Sequence, residues 1–314
     1  MMNPVIRHWS GQRVWVIGAS TGIGAETARQ LLAKGARVAL SARRAKPLED
    51  FAAGHANALV ALLDITDHAT VLAARDQLLA AWKGIDLVLI VAGGYNEMRA
   101  DSLDLARVNQ LIDLNLHGVF HCLDVVLPGL LAQGSGGIGI VASVAGFGGL
   151  PKALIYGPTK AALINLTESL YLDLHPRGVA VYQINPGFVD TPMTAVNDFK
   201  MPALITATQA ADKLVAGLEA GDFHIHFPKR FTNWIRLARL LPYRWYFALI
   251  HKVTGLSTTP MACMHGSIFS KRWCTTASRA STRFTAPRCS SRTRSPKWVA
   301  ARRSRVSFAT CLRR

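Results

Sequence analysis

Tyr156 and Lys160 stand four residues apart, just ahead of the helix-forming run Ala161-Ala162-Leu163-Ile164-Asn165-Leu166. Positions i and i+4 of a helix share a face, with Cβ atoms about 6 Å apart. The spacing therefore predicts the Lys160 ammonium near the Tyr156 hydroxyl. A free phenol has a pKa of about 10, too high for proton transfer near neutrality. A neighbouring cation favours the phenolate and lowers that value, which would let Tyr156 act as a general acid or base. Taken alone, the pair reads more simply as a helix with a core tyrosine and an exposed lysine. The rest of the chain decides between the two.

Such a pair does chemistry only if other elements hold a cofactor and a substrate against it. Arg13-Val14-Trp15-Val16-Ile17 is an apolar run of buried-strand type. It leads into Gly18-Ala19-Ser20-Thr21-Gly22-Ile23-Gly24, and a helical pattern follows from Ala25 to Leu32. Strand, glycine-rich turn and helix in succession suit a pyrophosphate. Glycines let the backbone approach it, and the helix N-terminus supplies unpaired N–H groups with a partial positive charge. The spacing is G-x-x-x-G-x-G rather than the commoner G-x-G-x-x-G. A second strand, Arg37 to Ser41, ends at Ala42-Arg43-Arg44. An acid at that strand end would bond the ribose 2′-hydroxyl of NAD, whereas arginine accommodates the 2′-phosphate of NADP. Arg43 and Arg44 thus favour NADP(H) over NAD(H), although an ordinary solvated arginine pair is the plainer alternative.

Further strands are expected at Ala58–Leu63, ending at Asp64-Ile65, at Asp86–Val91, ending at Ala92-Gly93-Gly94, at Gly137–Ala142, ending at Ser143, and at Val179–Ile184, ending at Asn185-Pro186-Gly187. Helical patterns cover Val71 to Trp82 and Val108 to Leu123, the latter carrying Asn115 and His117. Alternating strands and helices imply a Rossmann-like α/β fold, a doubly wound parallel sheet in three layers. Ligands of such sheets bind beyond the carboxyl ends of the strands. The residues singled out here lie at those ends or on the helix that follows. His117 and His121, and likewise His224 and His226, have spacings that could pair on a metal, but neither pair has a third ligand in view, so no metal is expected.

These residues together resemble the short-chain dehydrogenase/reductase family. The resemblance rests on the Gly18 to Gly24 turn, Asp64, Ala92-Gly93, Asn115, Ser143, Tyr156-x-x-x-Lys160 and Pro186-Gly187, spread over most of residues 10–192. It implies an NADP-dependent oxidoreductase acting on an alcohol/carbonyl pair. Tyr156 would be the acid/base, and Ser143 would orient the substrate oxygen. Lys160 would bind the nicotinamide ribose and lower the Tyr156 pKa, and Asn115 would hold a water in a proton relay. Ser20, Thr21, Ile23, Ile65, Val189 and Thr191 join the cofactor set by position, with Asp64 at the adenine and the last two at the nicotinamide amide. Two departures stand out. Ile17 occupies a place usually held by Thr, and Ile90-Val91 replace two asparagines, so reduced local stability or a different packing is expected, with catalysis retained.

Composition bounds the remainder. The chain has 314 residues and a net charge of +17. Residues 261–314 hold thirteen Lys and Arg and no acid, while residues 1–260 hold the other twenty-three and all nineteen acids. Only Cys122 lies before residue 261, which excludes a disulfide framework there. No apolar signal core precedes the first strand and no unbroken apolar run is long enough to span a bilayer, so a cytoplasmic setting is expected. The organisation expected is a catalytic domain over 1–222, an apolar and basic helical lid over 223–260, and a basic low-complexity tail over 261–314 without a core of its own. The abrupt loss of acids in that tail suits a frameshifted or read-through extension; nucleic acid is disfavoured as its partner. Two short helices are expected at Phe231–Leu240 and Tyr243–Val253, broken at Pro242. Their aromatics and arginines suit a lid over an apolar substrate or peripheral contact with anionic lipid over 231–253 at the inner face of a membrane. A homodimer or homotetramer is what the resemblance implies. Two rival readings stay open: a nucleotide-binding regulator without chemistry, and a membrane or nucleic-acid binder acting through the basic end.

Overall fold

The computed structural model describes residues 2–195 and 201–255; the tail expected at 261–314 lies outside them. The chain begins with β1 (Arg13–Ile17), α1 (Gly22–Ala33), β2 (Arg37–Ser41), α2 (Ala45–Ala52), β3 (Ala58–Val60), α3 (His68–Trp82) and β4 (Leu87–Ile90). It continues with α4 (Leu105–Ile112), α5 (Gly118–Gln133), β5 (Gly137–Val141), α6 (Tyr156–Leu174) and β6 (Ala180–Pro186). Then come the two-residue strands β7 (Val189–Asp190) and β8 (Ile205–Thr206), α7 (Ala207–Ala220), β9 (His224–Phe227), α8 (Lys229–Ala238) and α9 (Tyr243–Thr254).

The main sheet has seven strands in the order β3-β2-β1-β4-β5-β6-β9, and every neighbouring pair is parallel. The strand order reverses between β1 and β4, where open α/β sheets form their ligand crevice. Both faces are covered, which is why β1 reads as an unbroken apolar run. Val14 and Val16 pack with Leu31 of α1, Leu48 of α2 and Leu214 of α7. Trp15 and Ile17 face the other way, against Leu78 of α3, Val126 of α5 and Leu163 of α6. A buried polar link runs from β1 across β2 toward the edge: the Trp15 indole donates to Ser41 Oγ at 2.8 Å, and Ser41 donates to the Ala61 carbonyl just past β3.

Three expectations need correction. The third strand stops at Val60, not Leu63, although the Ala61 and Leu63 amides still donate to the Leu40 and Ala42 carbonyls. The catalytic sheet does not end at residue 222. Its last strand, β9, comes from the segment expected to open the lid and pairs with β6 from Gln183↔His224 to Pro186↔Phe227. The two expected lid helices do form, as α8 and α9, with Pro242 directly before α9. The helix from Leu105 to Gln133 is long and apolar enough in composition to cross a membrane, beyond what its broken apolar runs suggested. Its residues Val119, Cys122, Leu123 and Val126 are instead buried in the core beside the sheet.

Candidate active site

The turn after β1 is shaped by what its glycines lack. Gly18 has φ +99°, and a Cβ there would lie 2.5 Å from the Ala92 amide nitrogen at the end of β4. A Cβ on Gly24 would lie 2.2 Å from the Gly18 carbonyl oxygen. Only glycine lets the turn close on β4 and lets α1 start directly beneath it. The first turn of α1 carries no acid, so its partial positive charge is uncompensated by a side chain.

A cleft of about 590 Å³ opens over this turn at the carboxyl ends of the strands. Gly18, Ser20, Thr21, Gly22, Ile23 and Gly24 line it, with Arg43, Arg44, Asp64 and Ile65 from the ends of β2 and the strand beside it. Ala92 and Gly93, Ser143, Tyr156 and Lys160, and Pro186, Gly187, Val189 and Thr191 complete the expected set. Leu114, Pro192, Met193 and Thr194 also line the cleft and were not anticipated. They lie next to anticipated residues, so their place depends on loop conformation rather than on any spacing. Burial works against the Asp64 carboxylate. Hydrogen bonds from the Thr66 amide and hydroxyl and the charge of Arg43 outweigh it and hold its pKa below the usual value.

Ser143 closes β5. Its Oγ accepts from the Ala145 amide at 3.1 Å, starting the short turn Val144–Gly146, and also bonds the Tyr156 phenol. The Tyr95 ring meets the Tyr156 ring edge-on, with centroids 5.1 Å apart. Tyr95 is a site neighbour that the sequence reading passed over; an aromatic directly after the Ala92-Gly93-Gly94 strand end was the available signal. Lys160 is buried, and its Nζ donates to the Val141 carbonyl at 2.9 Å while standing 5.8 Å from the Tyr156 ring centroid.

The expected electrostatics are therefore corrected. Burial pushes the Tyr156 pKa above its ordinary value; the Ser143 bond pulls it back and Tyr95 adds to the rise. The lysine is beside the ring, with its ammonium donating to the Val141 carbonyl, while burial, Ser143 and Tyr95 move the phenol. Burial instead lowers the pKa of Lys160 itself to about 8.

Asn115 does not line the cleft. It sits in a single wide π turn, Asp113–His117, between α4 and α5, a distortion that often marks functional positions. Its Oδ1 accepts from the Gly94 amide at 2.8 Å, and its Nδ2 donates to the Gly94 carbonyl and to Thr159 Oγ1, each at 3.1 Å. A Cβ on Gly93 would lie 3.2 Å from Asn115 Oδ1 and 3.3 Å from Lys160 Nζ, so a side chain there would crowd both. The two apolar replacements pack in opposite directions. Ile90 is buried in one core, and Val91 packs against the other. Thr159 Oγ1 also donates to the Tyr156 carbonyl at 2.8 Å. Thr159→Val keeps the shape and leaves both partners short of a bond. It should cost about 1–3 kcal/mol, read as a lower urea midpoint at unchanged slope.

The histidines are accounted for locally. His117 Nδ1 meets Asp113 Oδ1 at 2.8 Å, and His121 Nδ1 lies 3.0 Å from the Ile65 carbonyl. His224 bonds the Asn185 amide and His226 the Thr232 hydroxyl. Among the described residues no group of three or more His, Cys, Asp or Glu could hold a metal.

The sequence profile of short chain dehydrogenases matches residues 12–201. An uncharacterized oxidoreductase of Myxococcus xanthus is 36% identical over 231 residues, covering 72% of this chain and 91% of that protein. A cis-4-hydroxycyclohexanecarboxylate dehydrogenase of Sinomonas cyclohexanicum is 36% identical over 215 residues, covering 66% and 84%. Among solved structures, a short chain dehydrogenase from Burkholderia cenocepacia in complex with NADP superposes with a TM-score of 0.68 at 26% identity, covering 77% of this chain and 98% of that one.

Proposed function

Because this chain belongs to the short chain dehydrogenase family, we propose that it moves a hydride between NADP(H) and the carbon of an alcohol/carbonyl pair on an apolar small molecule. The observation that carries this reading is the meeting of Ser143, Tyr156 and Lys160 in one cleft with a glycine turn and two arginines. A bound dinucleotide would supply the hydride, chemistry that no side chain offers. The residues present fit such a group. Gly18 and Gly24 let the turn close against the end of β4 and the start of α1, where a Cβ would collide with backbone, and the α1 N-terminus it exposes suits a pyrophosphate.

Tyr156, kept protonated by burial, gives its proton to the substrate oxygen during reduction and takes one back in the other direction. Ser143, fixed by the Ala145 amide, orients that oxygen. Lys160 holds the ribose, and Asn115 fixes the strand end through Gly94 and serves the proton relay. Met193 adds an apolar side chain to the cleft lining, and Tyr95 packs edge-on against the Tyr156 ring. The name of the Sinomonas relative supports a cyclic alcohol or ketone as the substrate class. A homodimer or homotetramer would bury the exposed Phe120 of α5 and Leu172 of α6.

The test is NADPH absorbance over a panel of apolar ketones and aldehydes, with the matching alcohols and NADP run in reverse. Cofactor binding without turnover on every member would leave a nucleotide-binding regulator and overturn the enzyme reading. The choice of cofactor rests on Arg43 and Arg44 and is supported by the NADP complex of the Burkholderia relative. Replacing both with Ala should reduce the preference for NADPH over NADH, as a ratio of kcat/KM, by about tenfold or more. An unchanged ratio would remove the arginines from cofactor choice.

A further inference from the structure

We propose that α8 and α9 form a docking face for an anionic lipid surface. From Phe223 to Gly255 the chain has no acidic residue, and Lys229, Arg230, Arg236, Arg244 and Lys252 are all exposed. Among the described residues none of these five cations forms an ion pair. Large apolar side chains stand between them: Leu240 is 81% exposed, Leu237 66% and Trp245 65%, with Trp234, Leu241, Tyr243 and Phe247 also exposed.

The inner side of the same helices is anchored. Thr232, Ile235 and Ala238 of α8 and Tyr246 and Ile250 of α9 are buried. Thr232 Oγ1 lies 2.6 Å from His226 Nδ1 on β9, and the Tyr246 hydroxyl donates to the Gly149 carbonyl at 2.9 Å, in the loop after Ser143. The Phe231 ring lies 5.8 Å from Phe188, beside the Pro186-Gly187 turn. The exposed side is thus a fixed surface of the fold that borders the loops at the mouth of the cleft.

Burying so much aromatic and aliphatic surface requires a partner, and the cations choose which. A second copy of this face would set cation against cation. The segment 261–314 has thirteen Lys and Arg and no acid, and is repelled in the same way. An anionic bilayer accepts both features at once: basic side chains at the head groups, with Trp and Tyr at the interface and Leu and Phe below them. Docking there would bring the cleft's mouth to the source of an apolar substrate.

The test is cosedimentation of the full chain with phosphatidylglycerol-containing vesicles and with pure phosphatidylcholine vesicles. The expected result is retention on the first only. Leu240→Glu combined with Trp245→Glu should cut the bound fraction by about tenfold, with unchanged circular dichroism and NADPH binding. Arg236→Gln with Arg244→Gln should reduce binding while adding no charge. Equal binding by parent and Leu240→Glu/Trp245→Glu would assign retention to the basic tail and overturn the proposal. Equal retention on both vesicle types, or none on either, would also overturn it. So would a parent dimer that the double variant abolishes, which would give the face to a second copy. The readout is binding, so its failure leaves the proposed chemistry standing.

Discussion

Tyr156→Phe should lower kcat/KM by about 10²–10⁴-fold while leaving NADPH affinity nearly unchanged. The ring stays, with its edge contact to Tyr95 and its place over Lys160; only the oxygen that carries the proton goes. The variant loses the phenol's bond to Ser143, but no core packing is removed. Stability should therefore move by little, and the deficit should be chemical. Single-turnover rates with bound NADPH separate the two. Slow chemistry with normal binding supports Tyr156 as the proton donor, whereas a rate within a few-fold of the parent's would remove it from the mechanism. Because burial raises the pKa of the phenol, it stays protonated through neutral pH, the form that carbonyl reduction requires. Reduction should consequently hold up toward acid pH to the extent that Lys160 and the fold allow.

Lys160→Met should do two opposite things. Turnover should fall by at least about a hundredfold, through lost positioning and charge, and the folded protein should become more stable. Burial drops the lysine's pKa from 10.5 to about 8. That shift corresponds to about 3 kcal/mol of unfavourable burial when the ammonium is held. The sign follows from proton counts. Below pH 8 folded and unfolded chains both keep the proton, and folding carries the full cost. Between 8 and 10.5 the unfolded chain keeps it and the folded chain releases it, so the cost fades as pH rises. Losing the bond to the Val141 carbonyl takes back about 1 kcal/mol. Lys160→Met should then gain about 1–3 kcal/mol in urea unfolding at pH 7, and the gain should shrink above pH 8. The trade would mark Lys160 as a residue kept for function at the expense of stability. A variant less stable than the parent at pH 7 would contradict it. NADPH affinity of the parent should weaken as pH rises through about 8, a dependence the variant should lack.

Much of this molecule was legible before any coordinates. The run Arg13 to Ile17 into Gly18 to Gly24 announces strand, turn and helix, because glycine spacing and an apolar run have few other uses together. The alternation of such runs fixes a parallel sheet, and the strand ends then collect Arg43, Asp64, Ser143 and Pro186 at one edge. α8 and α9 were readable from aromatic spacing and Pro242. α7 was missed, although Thr206 and Gln209 form a capping box, each side chain bonding the other's backbone, ahead of buried Ala210, Leu214 and Leu218. The signal was there in residue types, yet short polar residues before an alanine-rich run also read as loop. The alternation around His224 and His226 reads as strand-like, and β9 forms there. Its place in the sheet was not legible, because pairing with β6 is a long-range choice.

The sequence by itself determined which residues could do the chemistry and that they would share a strand-end edge, since those facts follow from local periodicity and chain order. The tertiary structure decided how they act on one another. Two side chains four apart on a helix were bound to be neighbours. Whether the ammonium faces a hydroxyl or a backbone carbonyl depends on β5, whose Val141 carbonyl comes from a separate part of the chain. The direction of each pKa likewise depends on burial, which is a property of everything packed around a group and is written nowhere in the spacing.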